Sequence, residues 1–406
     1  MKRKSFSFLV VQRAAAALLC MFFLGVPDRV AAQAANERDD AAGLRSAKGP
    51  GTTLVHSQFG GQIFGFDIDQ NGTEGVLSEA QDLGGGKVLA AVETFDQATG
   101  KILKVVKKLE TKDDFLTMGI VGTSVGLVER EHAPKLYVTE RIYELLNPLD
   151  ANKFTGIWAA PLTATDIIIG VSRNQGSATT AVLAFQNGGG DQTFVFGSNV
   201  GANTFGSLIT LTDPVFFFSD SPVMAYDSKT NQAVIAASTG AVGGPAPVIA
   251  LADLATGKVT EFNGLPGPQP FGSGTVNGIA VDSADGIACT ATELDASVEF
   301  YNLKTKTGFA VTLPGATNQL QSGSDVEFDP VNKLFFVAQS VSSTAPGTSS
   351  IQVYDTKGNL VESLDGFNFS NTFNVVFTHI GLNPSNRSGY VDGPDPGVTD
   401  IQSFTY

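Results

Sequence analysis

One kind of short apolar run recurs along this chain. Residues 87–93 (KVLAAVE), 135–140 (KLYVTE), 232–237 (QAVIAA), 286–291 (GIACTA) and 333–338 (KLFFVA) are clear copies. Residues 180–185 (TAVLAF) are a weaker copy, and residues 388–391 (SGYV) a degenerate seventh. Successive starts lie 45 to 55 residues apart. Short runs rich in Val, Ile, Tyr and Phe and bounded by turn residues read as strands.

The turns between them have their own chemistry. Segments 96–101 (DQATGK), 253–258 (DLATGK) and 355–359 (DTKGN) each separate two apolar stretches. Segments 227–231 (DSKTN), 282–286 (DSADG) and 329–332 (DPVN) precede the repeated run. An Asp accepts hydrogen bonds from its own downstream backbone, and Gly supplies positive φ, so both sets are hairpin turns. Each unit reads as strand, Asp turn, repeated strand, connection, strand, Asp/Gly turn, outer strand. A period near 50 residues holding four short strands is that of a propeller blade.

Seven copies predict an all-β fold: a seven-bladed β-propeller of four-stranded antiparallel blades. The last blade has three strands of its own, at 375–379, 389–391 and 401–406. The expected fourth is an N-terminal strand, residues 62–68 (QIFGFDI), which would close the ring and remove a free edge. Residues 142–150 (IYELLNPLD) read as a short helical turn that Asn147-Pro148 stops.

The first 34 residues break the pattern. Lys2, Arg3 and Lys4 precede an uncharged run, residues 14–26, that is too short to span a bilayer. Ala32-Gln33-Ala34 then has the small residues of a cleavage site, so residues 1–34 read as a signal peptide cut after Ala34. The protein is expected to be secreted or periplasmic. Residues 35–50 read as a disordered leader and residues 51–406 as the propeller domain.

Cleavage changes the charge. The full chain carries 26 Lys and Arg against 40 Asp and Glu, and the mature part about −18 net. That surface repels phosphate backbones and anionic lipid, so neither nucleic acid nor a membrane is expected as partner of the mature form, which is read as a monomer. Of the two cysteines only Cys289 remains, so no internal disulfide forms and stability comes from the core.

Lys135-Leu-Tyr-Val-Thr-Glu140 resembles the defining strand of the bacterial Tyr-Val-Thr-Asn β-propeller repeat family, with Glu140 in place of the final Asn. Asn277-Gly-Ile-Ala-Val-Asp282, followed by Asp285-Gly286, resembles the first strand of the same repeat. The resemblance, over about residues 72–366, implies fold and little of activity. There is also an echo of gluconolactonase and lactonase-like propellers. That likeness implies lactone hydrolysis with a calcium ion in the central channel, its ligands falling at Asn277 and Asp325 with Glu79 as a third.

Other motifs weigh less. Gly122-Thr-Ser124-Val-Gly126 spells a nucleophile elbow, but strand-like sequence follows where a helix is needed, so it reads as a blade turn. Gly84-Gly-Gly-Lys87 lacks the residues of a phosphate loop. His56, His132 and His379 show no metal spacing, and His379, just before Ile380-Gly-Leu of an inner-type strand, reads as a packed or hydrogen-bonded structural residue or as a channel-facing one. Asp67-Ile-Asp69-Gln-Asn71-Gly72 begins like a calcium loop, with oxygen ligands at Asp67, Asp69 and Asn71. Gly75 and Ser78 then stand at its ninth and twelfth positions, and an Asn-Gly hairpin turn fits the same letters. Calcium is the one cofactor the sequence raises.

Two functions follow. One is a non-enzymatic secreted scaffold that binds a protein, glycan or small molecule through loops 242–247, 264–274 and 341–349. The other is a metal-dependent lactonase or esterase with its site in the channel.

Overall fold

The computed structural model describes residues 52–70, 72–85, 87–112, 114–121, 125–132, 140–146, 157–158, 166–171, 179–186, 192–199, 204–213, 216, 222–238, 247–263, 276–292, 296–316, 323–339, 349–367, 379–392 and 400–406. Among these residues the strands form seven antiparallel sheets.

Strand β1 (Thr52–His56) comes first. The first sheet follows in chain order: β2 (Gln62–Ile68), β3 (Glu74–Gly84), β4 (Lys87–Asp96) and β5 (Ile102–Lys112). The second is β6 (Asp114–Val121), β7 (Val125–His132), β8 (Glu140–Leu146) and β9 (Ile157–Trp158). The third is β10 (Asp166–Val171), β11 (Thr179–Gln186), β12 (Gln192–Asn199) and β13 (Thr204–Phe205), with β14 (Ile209–Thr210) also pairing β12.

The fourth sheet is β15 (Val223–Asp227), β16 (Gln232–Ala237), β17 (Val248–Asp253) and β18 (Val259–Asn263). The fifth is β19 (Val276–Asp282), β20 (Ile287–Thr292), β21 (Ser297–Asn302) and β22 (Thr307–Thr312). The sixth is β23 (Gly323–Asp329), β24 (Leu334–Gln339), β25 (Ser349–Asp355) and β26 (Leu360–Phe367). The seventh contains β27 (Ile380–Asn383), β28 (Ser388–Asp392) and β29 (Asp400–Thr405), and β1 pairs with β29 as its outer strand.

The first strands of consecutive sheets lie beside one another: β2 by β6, β6 by β10, β10 by β15, β15 by β19, β19 by β23, β23 by β27, and β27 by β2. The cores lie between sheets, not within one. Val234, Ala236, Ile249 and Leu251 point toward the fifth sheet, where they meet Ile279, Ala288 and Tyr301. Their neighbours Ala233, Ile235, Ala237, Ala250 and Ala252 point the other way, toward Leu183, Val195 and Phe216 of the third sheet and the segment after it. Period-2 alternation with both faces buried explains why the repeated run is continuously apolar. Each fully buried large side chain contributes about 1.5–3 kcal/mol relative to exposure.

Four expectations change. Residues 62–68 do not complete the last sheet: Gln62–Ile68 pairs β3 as the first strand of the first sheet, and Thr52–His56 takes the outer place. Residues 87–93 belong to a third strand, β4, whereas residues 232–237, 286–291, 333–338 and 388–391 fall in or begin second strands. The apolar alternation is the same in both positions, so local pattern does not separate them. Residues 142–146 are strand, not a helical turn, because β8 is paired along its length with β7. The last sheet's first strand is Ile380–Asn383, not 375–379. The signal peptide, the leader, residues 135–139 and residues 122–124 lie outside the described residues.

Candidate functional site

Successive connections in an antiparallel sheet open at alternate ends, so each sheet has two ends of different make. At one end lie the turns between first and second strands and between third and fourth. In the first, fourth, fifth and sixth sheets these are short and closed by their own side chains. Asp227 accepts from the Lys229 amide at 3.0 Å and the Thr230 hydroxyl at 2.7 Å, and Asp329 from the Val331 and Asn332 amides at 2.8 and 2.9 Å. Asp96, Asp253, Asn302 and Asp355 do the same in the outer turns. The amides of Thr256 and Ala255 hold the Asp253 carboxyl below its ordinary range.

Neighbouring turns at this end bind one another. Lys229 Nζ donates to the Ala284 carbonyl at 2.6 Å, and Lys333 Nζ to buried Asp282 at 2.7 Å. Between them is a depression of about 300 Å³ lined by Lys229, Asp282, Ser283, Phe328, Pro330 and Lys333.

The calcium-like letters fall at this same end. The Asp69 amide donates to the Glu74 carbonyl at 3.0 Å and closes the hairpin between β2 and β3. The Asp69 carboxylate lies where a Cβ on Gly72 would stand. Asp67 is buried in β2, and its Oδ1 accepts from the Ile68 amide at 2.8 Å. Asn71 lies outside the described residues.

The opposite end carries the sheet-to-sheet connections and those between second and third strands. Many are long: 238–247, 264–275, 313–322, 340–348 and 368–379. Asn277, Asp325 and His379 lie at or just before the start of three successive first strands at this end. Each reaches toward a backbone or a ring. Asn277 Nδ2 donates to the Gly323 carbonyl at 3.3 Å, and Asp325 Oδ2 accepts from the Ile380 amide at 2.8 Å. The His379 amide donates to Asp392 Oδ1 at 2.6 Å, its Nδ1 lies 3.1 Å from Asp392 Oδ2, and its ring meets Phe66 edge-on. The three thus stitch first strands together around the inner rim. Among the described residues no three His, Cys, Asp or Glu side chains converge to hold a metal.

Glu79 is elsewhere. It lies in the second strand of the first sheet and accepts from the Phe59 and Gly61 amides at 3.0 and 2.9 Å. Those amides belong to the linker 57–61 that leads from β1 in the seventh sheet to β2 in the first. On the next strand, two residues beyond the Ala91 that faces Glu79, lies Glu93, fully buried. Burial, and then the neighbouring Glu79 carboxylate, push Glu93 up to about 8.

Glu93 was not singled out from the sequence, though a signal exists. Glu93-Thr-Phe-Asp96, Glu299-Phe-Tyr-Asn302 and Gln352-Val-Tyr-Asp355 place an acid or its amide three residues before a turn Asp or Asn. All three side chains are buried at the same level of a third strand. Glu299 accepts from the hydroxyls of Thr290 and Thr292 at 2.5 and 3.2 Å, and Gln352 donates to Gln339 at 2.9 Å.

No family model matches this chain, and no curated protein matches it in sequence. Solved structures do share its shape. A chain in the crystal structure of the mitotic checkpoint complex is 10% identical, with TM-score 0.55 over 91% of this chain and 98% of its own. The β-propeller domain of Cps50 (Swd1) from Myceliophteria thermophila is 10% identical, with TM-score 0.54 over 87% of this chain and 98% of its own. The WD40 repeats of RRP9 are 11% identical, with TM-score 0.53 over 89% of this chain and 99% of theirs. At such identities the likeness speaks to fold alone, and the fold is a β-propeller.

Proposed function

We propose that this chain is an exported, seven-bladed propeller that serves as a binding scaffold and engages its partner at the end carrying the long connections. The observation that carries the reading is the contrast between the two ends. In the first, fourth, fifth and sixth sheets one end is built from short turns whose polar groups bind their own backbone or each other. The other presents segments 238–247, 264–275, 313–322, 340–348 and 368–379, and none of these contains Lys or Arg. Gly, Pro, Ser, Thr, Asn and Phe dominate them. Loops of varied length on a fixed frame are where propellers and other rigid scaffolds place recognition. Their chemistry suits a neutral protein surface or a glycan, held by aromatic faces and amide or hydroxyl groups.

Two features support a closed ring of seven blades. Seven sheets follow one another with their first strands adjacent, β27 beside β2 included. The outermost strand of the last sheet comes from the other end of the chain. Export rests on the N-terminal pattern. N-terminal sequencing of the protein recovered from outside the cytoplasm is expected to start at Ala35.

The binding reading is tested by immobilising residues 35–406 and screening glycans and co-exported proteins. Two variants accompany it: one with 264–275 and 340–348 replaced by short Asn-Gly turns, and one changed at the opposite end, Lys306→Gly. A ligand retained by the second and lost by the first supports the reading. Retention by both, with both folded, overturns it.

A further inference from the structure

The pair Glu79 and Glu93 sits under the linker that joins β1, paired with the last strand of the seventh sheet, to β2 of the first. The linker 57–61 leaves β1, crosses from the seventh sheet to the first, and rests two of its amides on Glu79. Gly61 is packed so closely that a Cβ would lie 2.6 Å from the Ala80 carbonyl oxygen and 3.0 Å from Glu79 Oε2. The linker therefore has one seat, and Glu79 is its floor.

Register makes the comparison between sheets direct. Leu77 faces Glu93, Thr290 faces Glu299, and Val337 faces Gln352, so Glu79, Thr292 and Gln339 are equivalent. Gln339 also reaches a sheet-to-sheet connection, donating to the Pro314 carbonyl at 3.1 Å. In the fifth and sixth sheets this diagonal pair joins a donor to an acceptor. In the first sheet both members are carboxyls, and the polar groups nearest Glu93 are Glu79 and the Gln58 amide of the linker, neither in full hydrogen-bond geometry. Two buried carboxyls side by side cannot both ionise without strong repulsion, whereas one proton gives the pair the single charge of Thr292 and Glu299.

We propose that Glu79 and Glu93 form a proton-operated latch on the linker, holding Phe59 and Gly61 while Glu93 keeps its proton and loosening them when Glu93 gains a charge beside Glu79. Little else nearby carries charge. Leu54, Val55, Ile63, Phe66, Leu77, Phe95, Tyr390 and Ile401 make the rest of the interface apolar or phenolic. Lys108 of β5 stands 4.6 Å over the Phe59 ring. The His56–Asp400 pair, 2.6 Å apart, lies where β1 enters the linker. No cationic side chain forms an ion pair with either glutamate among the described residues. The latch rests on the β1–β29 pairing; its linker lies at the end that carries the sheet-to-sheet connections, and its test uses no ligand.

Hydrogen exchange on the folded 35–406 chain from pH 5 to 9, corrected for intrinsic base catalysis, tests it. Peptides covering residues 52–61 are expected to keep their protection to about neutrality. They should then lose it by up to about tenfold per pH unit relative to peptides from β16 and β17. Glu93→Gln, which installs the amide found at Gln352, should retain protection at pH 9. The latch is overturned if the wild-type 52–61 segment tracks the fourth sheet at every pH, a result that needs no variant. It is equally overturned if Glu93→Gln loses protection in step with wild type.

Discussion

The side-chain amide of Asn383, in the last sheet, donates to Gln97 Oε1, in the first, at 2.6 Å, and both residues are buried. Gln97 spends its own amide on the carbonyls of Asp69 and Glu74, each at 2.8 Å, and Asn383 also donates to the Gly72 carbonyl at 3.1 Å. One side chain thus ties the β2–β3 hairpin to the neighbouring sheet. Gln97→Ala removes one of the bonds to each of the Asp69 and Glu74 carbonyls and leaves an Asn383 amide proton without its Gln97 acceptor. A loss of about 2–4 kcal/mol is expected in urea unfolding. A loss below about 0.5 kcal/mol would show that water replaces the contacts.

Two glycines face aromatic rings across a strand pair, Gly75 opposite Phe95 and Gly389 opposite Phe404. A Cβ on Gly389 would fall 2.0 Å from the Phe404 ring, and that ring is held edge-on by Phe367. Gly389→Ala should cost about 1–3 kcal/mol or more. A double-mutant cycle with Phe404→Leu should show coupling of at least about 0.5 kcal/mol, because the smaller side chain vacates the space. Additive losses would place the cost elsewhere.

The pH dependence of stability has a definite sign at Glu93. Its carboxyl stands at about 8 in the folded chain against an ordinary value of 4.5. Between these values the folded chain holds a proton that the unfolded chain has released. Stability from this group is therefore greatest below about pH 4.5, declines as pH rises and levels off above about pH 8, with a slope of at most about 1.4 kcal/mol per pH unit. Urea unfolding at pH 5.5, 7 and 8.5 should show Glu93→Gln gaining on wild type as pH rises. A constant difference would remove the effect.

Tyr354 is fully buried, and its hydroxyl makes no hydrogen bond among the described residues. Burial, and then the nearby Cys289, push its phenol well up. Tyr354→Phe keeps the ring against Phe300, 5.9 Å away, and removes only the stranded hydroxyl. The variant should be as stable as wild type or up to about 1 kcal/mol more so. A drop in melting temperature would mean that the hydroxyl has a partner.

Lys306 holds φ at 59°, where Gly100 and Gly257 hold 72° in the equivalent turns. The closing bond is the same in all three, from the amide of this residue to the carbonyl of the turn Asp or Asn at 2.8 Å. The left-handed conformation costs an L side chain about 1–2 kcal/mol, and glycine gives part of that back as chain entropy. Lys306→Gly should raise stability by about 0.5–1 kcal/mol in thermal unfolding. A loss would show that the Lys306 side chain contributes contacts of its own.

What the sequence determined alone was local. Apolar runs of strand length, Asp turns that bond their own backbone and glycines at positive φ are properties of a few neighbouring residues, and they specify strands, hairpins and a period near 50. Even the Asp67–Gly72 letters were legible as a hairpin beside the calcium reading. What the tertiary structure decided was every question of partner. Residues 62–68 and 52–56 are both plausible edge strands, and only the pairing of His56 with Asp400 across almost the whole chain selects the second. Residues 87–93 carry the repeated pattern yet sit one strand further out, because strands buried on both faces look alike. Glu79 and Glu93 are ordinary glutamates until the register of β3 and β4 sets them side by side under the linker. Their chemistry comes from burial and from each other, and neither is written in the residues next to them.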